Sequence, residues 1–344
     1  MVINVNASRS YDIEIGRDLL HKIGQDVLAL KGKCSVCIIS DDTVYSLYGE
    51  QVLKSLKDAG FNVCVYTFPH GEKSKNLNTF AEIHGYLASQ NLKRTDLIIA
   101  LGGGVCGDMA GFVASTYMRG IDFIQVPTTL LAMIDSSVGG KTAVDLPNGK
   151  NLVGSFYQPI KVIIDLKTLD TLPCQEYKNG MGEGIKYAML MDGELESIVT
   201  NGVTCSSNID KFVELCIRYK KMIVEEDEKE SGKRRLLNLG HTFAHAIEKL
   251  SDYTVPHGVA VAQGLKIIAD VAKAQDKIAP CAYEKLQTLL DRYDMHLDKE
   301  YDFNEMLNVI KLDKKAEGDS VNAVIPYAFG DCRIEKLKIE DLKI

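Results

Sequence analysis

The chain has 344 residues, of which 46% are apolar and 25% charged, a composition that excludes disordered, collagen-like and low-complexity proteins. At about 150 residues per domain, this length favours two domains, each able to bury a sizeable core. Forty Lys and Arg against 47 Asp and Glu give a net charge of -7, which argues against general binding to nucleic acid or to an anionic membrane.

The N-terminus and the cysteines favour a cytoplasmic protein. Residues 1–9 lack the basic head and apolar core of a signal peptide, and the most apolar stretch, 97–105, is far shorter than the roughly 20 residues of a membrane helix. Nine scattered cysteines suit a reducing compartment better than a disulfide framework. Cys34 and Cys37 form a C-x-x-C inside a strand-like run, where residues three apart point to opposite faces, so a redox or zinc role is disfavoured there.

In the first half of the chain, short apolar runs alternate with longer amphipathic stretches, the pattern of strand–helix units on a mostly parallel sheet. Strands are predicted at residues 35–40, 63–68, 97–101, 123–126 and 162–164. Helices are predicted at residues 43–59 and 77–90, and the glycine-rich segment 102–107 opens a further helix.

After about residue 170 the pattern changes to long helical periods. Helices are predicted at residues 182–199, 209–224, 236–250, 259–273 and 283–293. Residues 321–327 and 332–337 alternate around Gly330-Asp331 and are predicted to form a hairpin. The acidic run 225–230 is interpreted as a solvated helix end.

The segment 168–182 is predicted to join two domains, because Pro173 and Asn179-Gly180 break both periodicities. The predicted fold class is therefore α/β, with an N-terminal doubly wound, nucleotide-binding domain at 1–172 and a mainly α-helical, metal- and substrate-binding domain at 173–344. A cleft is expected at the junction, and such clefts are common places for small-molecule sites.

A glycine-rich turn follows the predicted strand 97–101. Gly102-Gly-Gly-Val-Cys-Gly107 satisfies G-x-G-x-x-G, so its amides and the next helix N-terminus suit a pyrophosphate, although the motif is not on the first strand and a plain tight turn is the alternative. Asp41 closes the strand 35–40, where a carboxylate that binds ribose would lie; a helix N-cap is its alternative role. Pro127-Thr-Thr129 adds hydroxyls at the same sheet edge. Together these features favour a nucleotide site.

Three of the seven histidines, His241, His245 and His257, lie within 17 positions. His241 and His245 are spaced i, i+4 on one helical face, a common zinc geometry, and Glu183 offers a carboxylate at the start of the first helix after the boundary. Histidines buried in a core are the alternative. The spacing favours a metal site and leaves open which three of the four side chains bind the ion.

Seven cations lie in glycine-rich or helix-start contexts, where each alone is most simply a solvated surface charge. They are Arg119, Lys141, Lys150, Lys186, Lys220, Arg234 and Lys314. Lys186 stands three residues after Glu183 on the same helical face, so it points into the same cleft if Glu183 binds a metal. Several charge-assisted contacts would suit a doubly anionic substrate.

Longer stretches go beyond these generic motifs. They are Gly102-Gly-Gly-Val-Cys-Gly-Asp108, Asp135-Ser-Ser-Val-Gly-Gly-Lys141, and Asn238-Leu-Gly-His-Thr-Phe-Ala-His245 followed by His257-Gly258. In these blocks the chain resembles the 3-dehydroquinate synthases, a family of sugar-phosphate cyclases. Further blocks resemble that family in order: Phe68-Pro-His-Gly-Glu-Lys-Ser-Lys75, Met118-Arg-Gly120, Pro127-Thr-Thr129, Asn179-Gly-Met-Gly-Glu-Gly-Ile-Lys186 and Asp313-Lys-Lys315. The resemblance covers nearly the whole chain.

The resemblance implies a homodimeric carbon–oxygen lyase that depends on NAD and on zinc. The ligand types alone leave cobalt or another divalent ion open as the native metal. The substrate of the lyase would be a small sugar-acid phosphate. The enzyme would convert 3-deoxy-arabino-heptulosonate 7-phosphate into 3-dehydroquinate and phosphate, by transient oxidation, phosphate elimination, re-reduction and aldol cyclisation. This reaction is the second step of the shikimate pathway to the aromatic amino acids.

The resemblance also implies residue roles. The metal ligands would be Glu183, His241 and His257, which leaves His245 to contact substrate, against the i, i+4 pairing. The implied substrate residues are Asp135, Lys141, Asn151, Lys186, Lys220, Arg234, Asn238, His245 and one of Lys314 and Lys315. The implied cofactor residues are Asp41, Glu72, Lys75, Gly103, Gly104, Asp108, Thr128, Thr129 and Lys150. Arg119 would reach the site of the partner subunit.

Two departures from the family pattern stand out. The block that commonly reads Ala-Glu-Val is Gly182-Glu-Gly184 here, and the usual glycine before the second histidine is Ala244. Glycine at 184 costs about 1 kcal/mol of helix propensity and is expected to loosen the helix start. The alternatives are a related cyclase making aminodehydroquinate, valiolone or deoxy-inosose products, and a metal-dependent polyol dehydrogenase. A non-catalytic nucleotide-binding protein is least favoured, because ligands and cations are all present.

Overall fold

The structure of the chain is a computed structural model that describes residues 1–191, 193–204, 206–313 and 320–342. The chain divides into two compact units, Met1–Leu172 and Pro173–Ile344. Lys314 and Lys315, one of which is a predicted substrate residue, lie outside the described residues. In the part of the chain that is described, no helix combines the length and apolar character needed to span a membrane.

The first unit is built on strands, which in chain order are β1 (Val2–Asn6), β2 (Ser10–Gly16), β3 (Ser35–Asp41), β4 (Asn62–Phe68), β5 (Leu97–Gly102), β6 (Asp122–Pro127), β7 (Lys141–Leu146), β8 (Gly149–Phe156) and β9 (Lys161–Asp165). Seven of them form one sheet in the order β1-β2-β9-β6-β5-β3-β4, which is parallel apart from the β1–β2 hairpin. β7 and β8 form a separate antiparallel pair. All five predicted strands are confirmed within this sheet.

Helices cover both faces of the large sheet. They are α1 (Ile23–Lys31), α2 (Asp42–Val44), α3 (Glu50–Asp58), α4 (Leu77–Ser89) and α5 (Gly104–Thr116). Alternate residues of the fully buried β5 enter two cores: Ile98 packs with α4 and α5, whereas Ile99 packs with α1 and α3. The doubly wound prediction is confirmed. Cys34 and Cys37, just before and within β3, are free thiols.

The second unit is mainly helical, as predicted. Its helices are α6 (Cys174–Leu190), α7 (Glu194–Asn201), α8 (Ile209–Glu226), α9 (His241–Leu250), α10 (His257–Ala274), α11 (Pro280–Arg292) and α12 (Phe303–Asp313). The predicted hairpin is confirmed as β10 (Ser320–Ala328) and β11 (Asp331–Lys338), an antiparallel pair that forms its own sheet.

The predicted start of the first helix in this unit was wrong. α6 begins at Cys174, after the N-cap residue Pro173, so Asn179-Gly180 lies inside the helix and Glu183 lies past its middle. Glycine is required here by packing: a Cβ on Gly182 would lie 1.9 Å from the carbonyl oxygen of Gly258 on α10. Gly182 and Gly258 therefore mark a close helix crossing, whereas Asn179-Gly180, which the sequence pattern made look like a helix break, lies inside α6.

Candidate active site

Three side chains from three helices of the second unit converge at one point. Glu183 projects from α6, His241 is the first residue of α9, and His257 is the first residue of α10. Their ligand atoms all lie within 4.8 Å of one another. Oε1 of Glu183 is 3.5 Å from Nε2 of His241 and 3.3 Å from Nε2 of His257. This trio is called the metal cluster below.

Contacts between glycines hold these helices close enough for the cluster to form. The backbones of Gly182 on α6 and Gly258 on α10 touch, and Gly258 N donates to Oδ1 of Asn179 at 2.7 Å. On the other side of α10, a Cβ on Gly264 would lie 2.1 Å from the carbonyl oxygen of Gly240, the residue before His241. Each ligand is therefore the sequence neighbour of a glycine that makes a close backbone contact.

The cluster has a carboxylate at its centre and a lysine beside it. Glu183 is fully buried, and the groups around its two oxygens are Lys186 and the two histidines of the metal cluster. Nζ of Lys186 lies 2.5 Å from Oε2. Burial alone would raise the pKa of Glu183, but Lys186, His241 and His257 together hold it well below its usual range. The carboxylate is therefore ionised and open to a cation.

The donor set fits a divalent metal. One carboxylate and two imidazoles are ligands that both Zn²⁺ and Co²⁺ accept, and catalytic zinc sites commonly use three protein ligands. Burial lowers the pKa of His257, yet Glu183 and Glu248 raise it to about 10, so this ring sits in a strongly negative environment. His245 is one turn along α9, with its ring centroid 5.6 Å from that of His241, and it is not part of the metal cluster.

Sequence reasoning missed Glu248. Its side chain is 3% exposed, and Oε1 lies 3.3 Å from Nδ1 of His257, the nitrogen that faces away from Glu183. The available signal was its position seven residues after His241, which places both on one face of α9.

Three predicted substrate cations of this unit are buried, so the alternative of a solvated surface charge does not hold for Lys220 and Arg234, and Lys186 lies inside the unit as its spacing from Glu183 indicated. Lys186, Lys220 and Arg234 are 1%, 6% and 1% exposed. They lie on α6, on α8 and in the 3-10 turn Lys233–Asn238, on faces that pack inward. A buried cation keeps its charge only with anionic or polar partners, so such groups are suited to hold an anionic ligand.

The acidic run 225–230 does contain a helix end, and Glu225, Glu226 and Lys229 are exposed, but Asp227 has a structural role that the sequence did not show. α8 ends at Glu226, and the next residue, Asp227, accepts hydrogen bonds from the amides of Ser231, Gly232 and Arg234 at 2.9, 2.7 and 3.0 Å. Partial burial raises the pKa of Asp227, but these bonds lower it to about 2. This carboxylate therefore folds the turn that carries Arg234.

Two further contacts complete that turn. Nη1 of Arg234 donates to the carbonyl oxygen of Glu228, and Nδ2 of Asn238, another predicted substrate residue, donates to Oε1 of Glu230. Glu228 and Glu230 were not singled out from the sequence, because an acidic run at a helix end gives no sign of its partners.

In the first unit, the predicted nucleotide residues meet at the carboxyl edge of the sheet. β3 and β5 are neighbours, and the chain passes from β3 to β4 on one side and returns to β5 on the other, which makes this the topological switch point. A Cβ on Gly102, the end of β5, would lie 3.4 Å from Oδ2 of Asp41 and 2.6 Å from Cβ of Cys106. Asp41 also accepts from Val44 N at 2.8 Å, so it does serve as an N-cap.

The glycines of the turn have separate geometric roles. Gly103 is the N-cap of α5, and a Cβ there would lie 3.0 Å from Cγ2 of Thr129. At Gly104 the nearest atom would be Oγ of Ser136 at 3.2 Å. Gly107 lets α5 approach β6, since a Cβ there would lie 2.7 Å from Oε1 of Gln125. These positions leave the bare backbone that a dinucleotide requires.

Thr128 adds a buried hydroxyl to this edge. The residue is 3% exposed, its Oγ1 has no hydrogen-bond partner among the described residues, and its amide donates to Gly102 O at 3.0 Å. The same edge thus offers bare backbone, a half-buried carboxylate at Asp41 and a free hydroxyl, features that fit a pyrophosphate and a ribose.

Lys75 organises a second group of predicted residues. It is 4% exposed, and its Nζ donates to Oδ2 of Asp108 at 2.7 Å and to Oδ1 of Asn151 at 2.5 Å. Oε1 of Glu72 lies 3.9 Å from Nζ. Burial lowers the pKa of Lys75, but the nearby carboxylates outweigh it and raise the pKa overall. Asn151, a predicted substrate residue, therefore contacts the predicted cofactor residue Lys75, which also binds Asp108.

The remaining predicted residues of this unit have varied positions. Asp135 lies in the π-helical turn Ala132–Ser136, Lys141 begins β7 and is exposed, and Lys150 lies on β8. Arg119 is exposed and has a left-handed backbone, with φ 67°, after Met118 with φ 51°.

Comparison with known proteins identifies the family. Residues 65–179 match the family model for the 3-dehydroquinate synthase N-terminal domain, and residues 180–316 match that for the C-terminal domain. The chain belongs to the 3-dehydroquinate synthase family. It is 42% identical over 337 residues to the 3-dehydroquinate synthase of Clostridium acetobutylicum, covering 96% of this chain and 95% of the relative. It is 43% identical to that of Streptococcus mutans, covering 100% and 99%.

Solved structures agree with membership of the 3-dehydroquinate synthase family at the level of the fold. A crystal structure of 2-deoxy-scyllo-inosose synthase, complexed with carbaglucose-6-phosphate, NAD⁺ and Co²⁺, superposes with a TM-score of 0.90 at 25% identity. That similarity covers 99% of this chain and 98% of the other.

Proposed function

We propose that this protein is a 3-dehydroquinate synthase that converts 3-deoxy-arabino-heptulosonate 7-phosphate into 3-dehydroquinate and phosphate, a lyase reaction of the shikimate pathway to aromatic amino acids. The observation that carries the proposal is the metal cluster with its buried cations, found in a chain that is 42–43% identical to proteins of that name. A polyol without acidic groups offers no anion for the buried cations Lys186, Lys220 and Arg234 to bind.

Glu183, His241 and His257 would hold the divalent ion, which we take to be Zn²⁺ or Co²⁺. Asp41, Glu72, Lys75, Gly103, Gly104, Asp108, Thr128, Thr129 and Lys150 would hold NAD. The chemistry supplied by these groups when bound is reversible hydride transfer and acidification of a substrate hydroxyl.

The side chains of this chain would bind and orient the substrate. Lys186, Lys220 and Arg234 are withdrawn from water, so their contacts with a phosphate or carboxylate are stronger than those of exposed cations. Asn238 and Asp135 would fix hydroxyl orientation, which is a large part of rate enhancement in such reactions. We assign His245, Lys141, Asn151 and one of Lys314 and Lys315 to substrate contacts as well.

We further propose a cytoplasmic homodimer. The eight described cysteines are all free thiols, which suits a reducing compartment. Arg119 is exposed on a turn whose two successive left-handed residues hold it outward, and Met118 beside it is 48% exposed. An exposed apolar residue next to a cation suits a subunit contact, with Arg119 reaching the partner's site.

The test is to incubate the purified protein with the heptulosonate phosphate and catalytic NAD⁺, and to follow phosphate and dehydroquinate with and without a chelator. Chelator-sensitive product without net NADH is expected, because the hydride returns in each turnover. Absence of phosphate release in a protein that binds both metal and NAD⁺ would point to another sugar-phosphate cyclase. Net NADH from a simple polyol would point to a dehydrogenase.

A further inference from the structure

The two histidines of the metal cluster have different partners on their second ring nitrogen. Nδ1 of His241 lies 3.2 Å from the backbone carbonyl oxygen of Leu239, a neutral acceptor. Nδ1 of His257 lies 3.3 Å from Oε1 of Glu248, a carboxylate. Of these two partners, only Glu248 is a side chain, and only it carries charge.

This contact fixes which nitrogen of His257 is available to a metal. Nε2 faces Glu183 and must keep its lone pair to act as a ligand, so Nδ1 must carry the proton. An acceptor on Nδ1 stabilises that tautomer and holds the ring plane, and an anionic acceptor also makes the ring a stronger ligand.

Glu248 is itself held firmly. Its side chain is 3% exposed, and its backbone carbonyl accepts hydrogen bonds from Tyr253 N at 2.7 Å and from Ser251 Oγ at 2.9 Å. Both donors belong to the turn that joins α9 to α10, and His257 begins α10. A single residue thus fixes the turn through its backbone and the imidazole through its side chain.

We propose that Glu248 is a positioning residue that orients His257 and strengthens it as a metal ligand. This proposal takes one thing from the proposed function, namely that Glu183, His241 and His257 are the metal ligands. Glu248 does not reach the metal itself, since its carboxylate contacts the opposite side of the ring.

The test uses the full-length protein without substrate and measures Co²⁺ affinity by competition with a chromophoric chelator, together with the visible spectrum of the Co²⁺ form. Glu248→Ala is expected to weaken Co²⁺ binding about 10- to 100-fold and to change the spectrum, since both depend on the orientation and basicity of His257. Glu248→Gln is expected to fall between the wild type and Glu248→Ala, because an amide oxygen still accepts from Nδ1 but carries no charge.

Glu214→Gln is the matched control. Glu214 is a carboxylate of the same unit that is 8% exposed, but its partner is Nε of Arg218 at 2.7 Å. Both readouts should remain at wild-type values in this variant. If Glu248→Ala does not fold, the comparison of Glu248→Gln with Glu214→Gln still decides the question.

The outcomes separate the two proposals. Wild-type affinity and spectrum in both Glu248 variants would overturn the positioning role while leaving the metal site in place. Failure of the wild-type protein to bind Co²⁺ at all would overturn the metal site, and the positioning role with it.

Discussion

Glu183 is a carboxylate without access to water, and such a group is stable as an anion only where cations surround it. Lys186 supplies a positive charge at 2.5 Å, and the two imidazole rings lie beside the other oxygen. A bound metal ion would take over part of this positive charge, so the site is preorganised for a metal before one binds. The same reasoning explains why Lys186 tolerates burial, since Glu183 is its counter-charge.

The geometry predicts which single changes abolish metal binding. Glu183→Gln, His241→Ala and His257→Ala each remove a donor from the cluster, so the purified variants are expected to hold far less zinc or cobalt than the wild type. His245→Ala is the matched change on the same helix and is expected to keep the metal. Elemental analysis after dialysis measures the content. Loss of metal in His245→Ala with retention in His257→Ala would favour the i, i+4 pairing instead.

Lys75 gives a second prediction at this scale. Lys75→Met removes the ion pair between Lys75 and the half-buried Asp108, so the free energy of unfolding is expected to fall by about 1–3 kcal/mol. NAD⁺ binding should weaken as well, because Asp108 and Asn151 lose their common partner. Urea unfolding and calorimetric titration with NAD⁺ measure the two effects.

Lys73→Met is the control for this change, because Lys73 lies in the same 3-10 turn, Glu72–Ser74, and is exposed. It should leave both quantities unchanged. Equal effects of the two substitutions would show that the turn, and not the Lys75 contacts, is responsible.

Residue roles were only partly predictable from sequence. The i, i+4 spacing of His241 and His245 is visible in one helix, whereas the approach of Glu183 and His257 depends on the packing of separate helices. Local spacing cannot show such packing, and only the family resemblance pointed to this trio. Glu248 and Asp227 were missed because a carboxylate that binds an imidazole or a turn looks like any other acidic residue in a sequence.

Among the helices, the crossing of α6 and α10 is set by Gly182 and Gly258. Gly182→Ala would place a methyl group against a backbone oxygen that no side-chain rotation can move, so we expect a loss of about 1–3 kcal/mol in unfolding free energy, with weaker metal binding. Thermal unfolding and metal titration check both. Gly85→Ala on α4 is the control, since a Cβ there has nothing within 4 Å.

The control should change stability in the opposite direction. Alanine is the better helix former by about 0.5–1 kcal/mol, so Gly85→Ala is expected to stabilise the protein slightly. If Gly182→Ala also stabilised the protein, then helix propensity, and not the helix crossing, would determine the change in unfolding free energy at position 182.

The turn after α8 predicts a pH dependence. Burial and hydrogen bonding leave Asp227 with a pKa of about 2, below the ordinary value of 3.8. A carboxyl whose pKa is lowered by folding contributes stability that is present above about pH 4 and is lost as the pH falls towards 2. The stability difference between wild type and Asp227→Asn should therefore be constant above pH 4 and shrink below it.

Urea unfolding at several pH values measures this difference. A difference that stayed constant as the pH approached 3 would contradict the assignment of the shift to Asp227. The substitution should also raise the KM for substrate, because the turn carries Arg234.

Elements with a strong, continuous pattern were predicted well, and those shaped by packing were not. The strands β3 to β6 and β9 are apolar runs that only a buried sheet explains. The start of α6 was misplaced because Asn179-Gly180 resembles a helix break, although it lies inside the helix. The approach of α10 requires glycine at position 182. Gly184 does not loosen a helix start, since it lies within α6 and Phe212 fills the space that a side chain would take.

For the whole molecule, each unit carries its own group of proposed ligand-binding residues. The metal cluster belongs to the helical unit, and the glycine-rich turn with its acidic and hydroxyl neighbours belongs to the sheet unit. The fold class followed from the change of periodicity near residue 170, because sheet and helix periods differ whatever the detailed packing. The α12 helix and the β7–β8 pair were not predicted, since their apolar periods are short and mixed with charge.

This division predicts separate responses to the two ligands in hydrogen exchange. Zn²⁺ should protect amides of α6, α9 and α10, and NAD⁺ should protect the turn between β5 and α5, because a ligand stabilises the state to which it binds. Exchange followed by mass spectrometry of peptides measures both. The His257→Ala protein is the control, in which NAD⁺ should still protect its turn and Zn²⁺ should protect nothing. Protection of α10 by Zn²⁺ in that variant would contradict the assignment of His257 as a metal ligand.

The contact between Gly182 and Gly258 also limits how this chain can vary over generations of descent. Where two side chains touch, enlargement of one can be offset by reduction of the other, so a pair of positions can drift together. Here both positions already hold the smallest residue, and the clash would be with backbone atoms. No compensating substitution exists at either position. Both glycines must therefore be kept unless the crossing angle of the two helices changes.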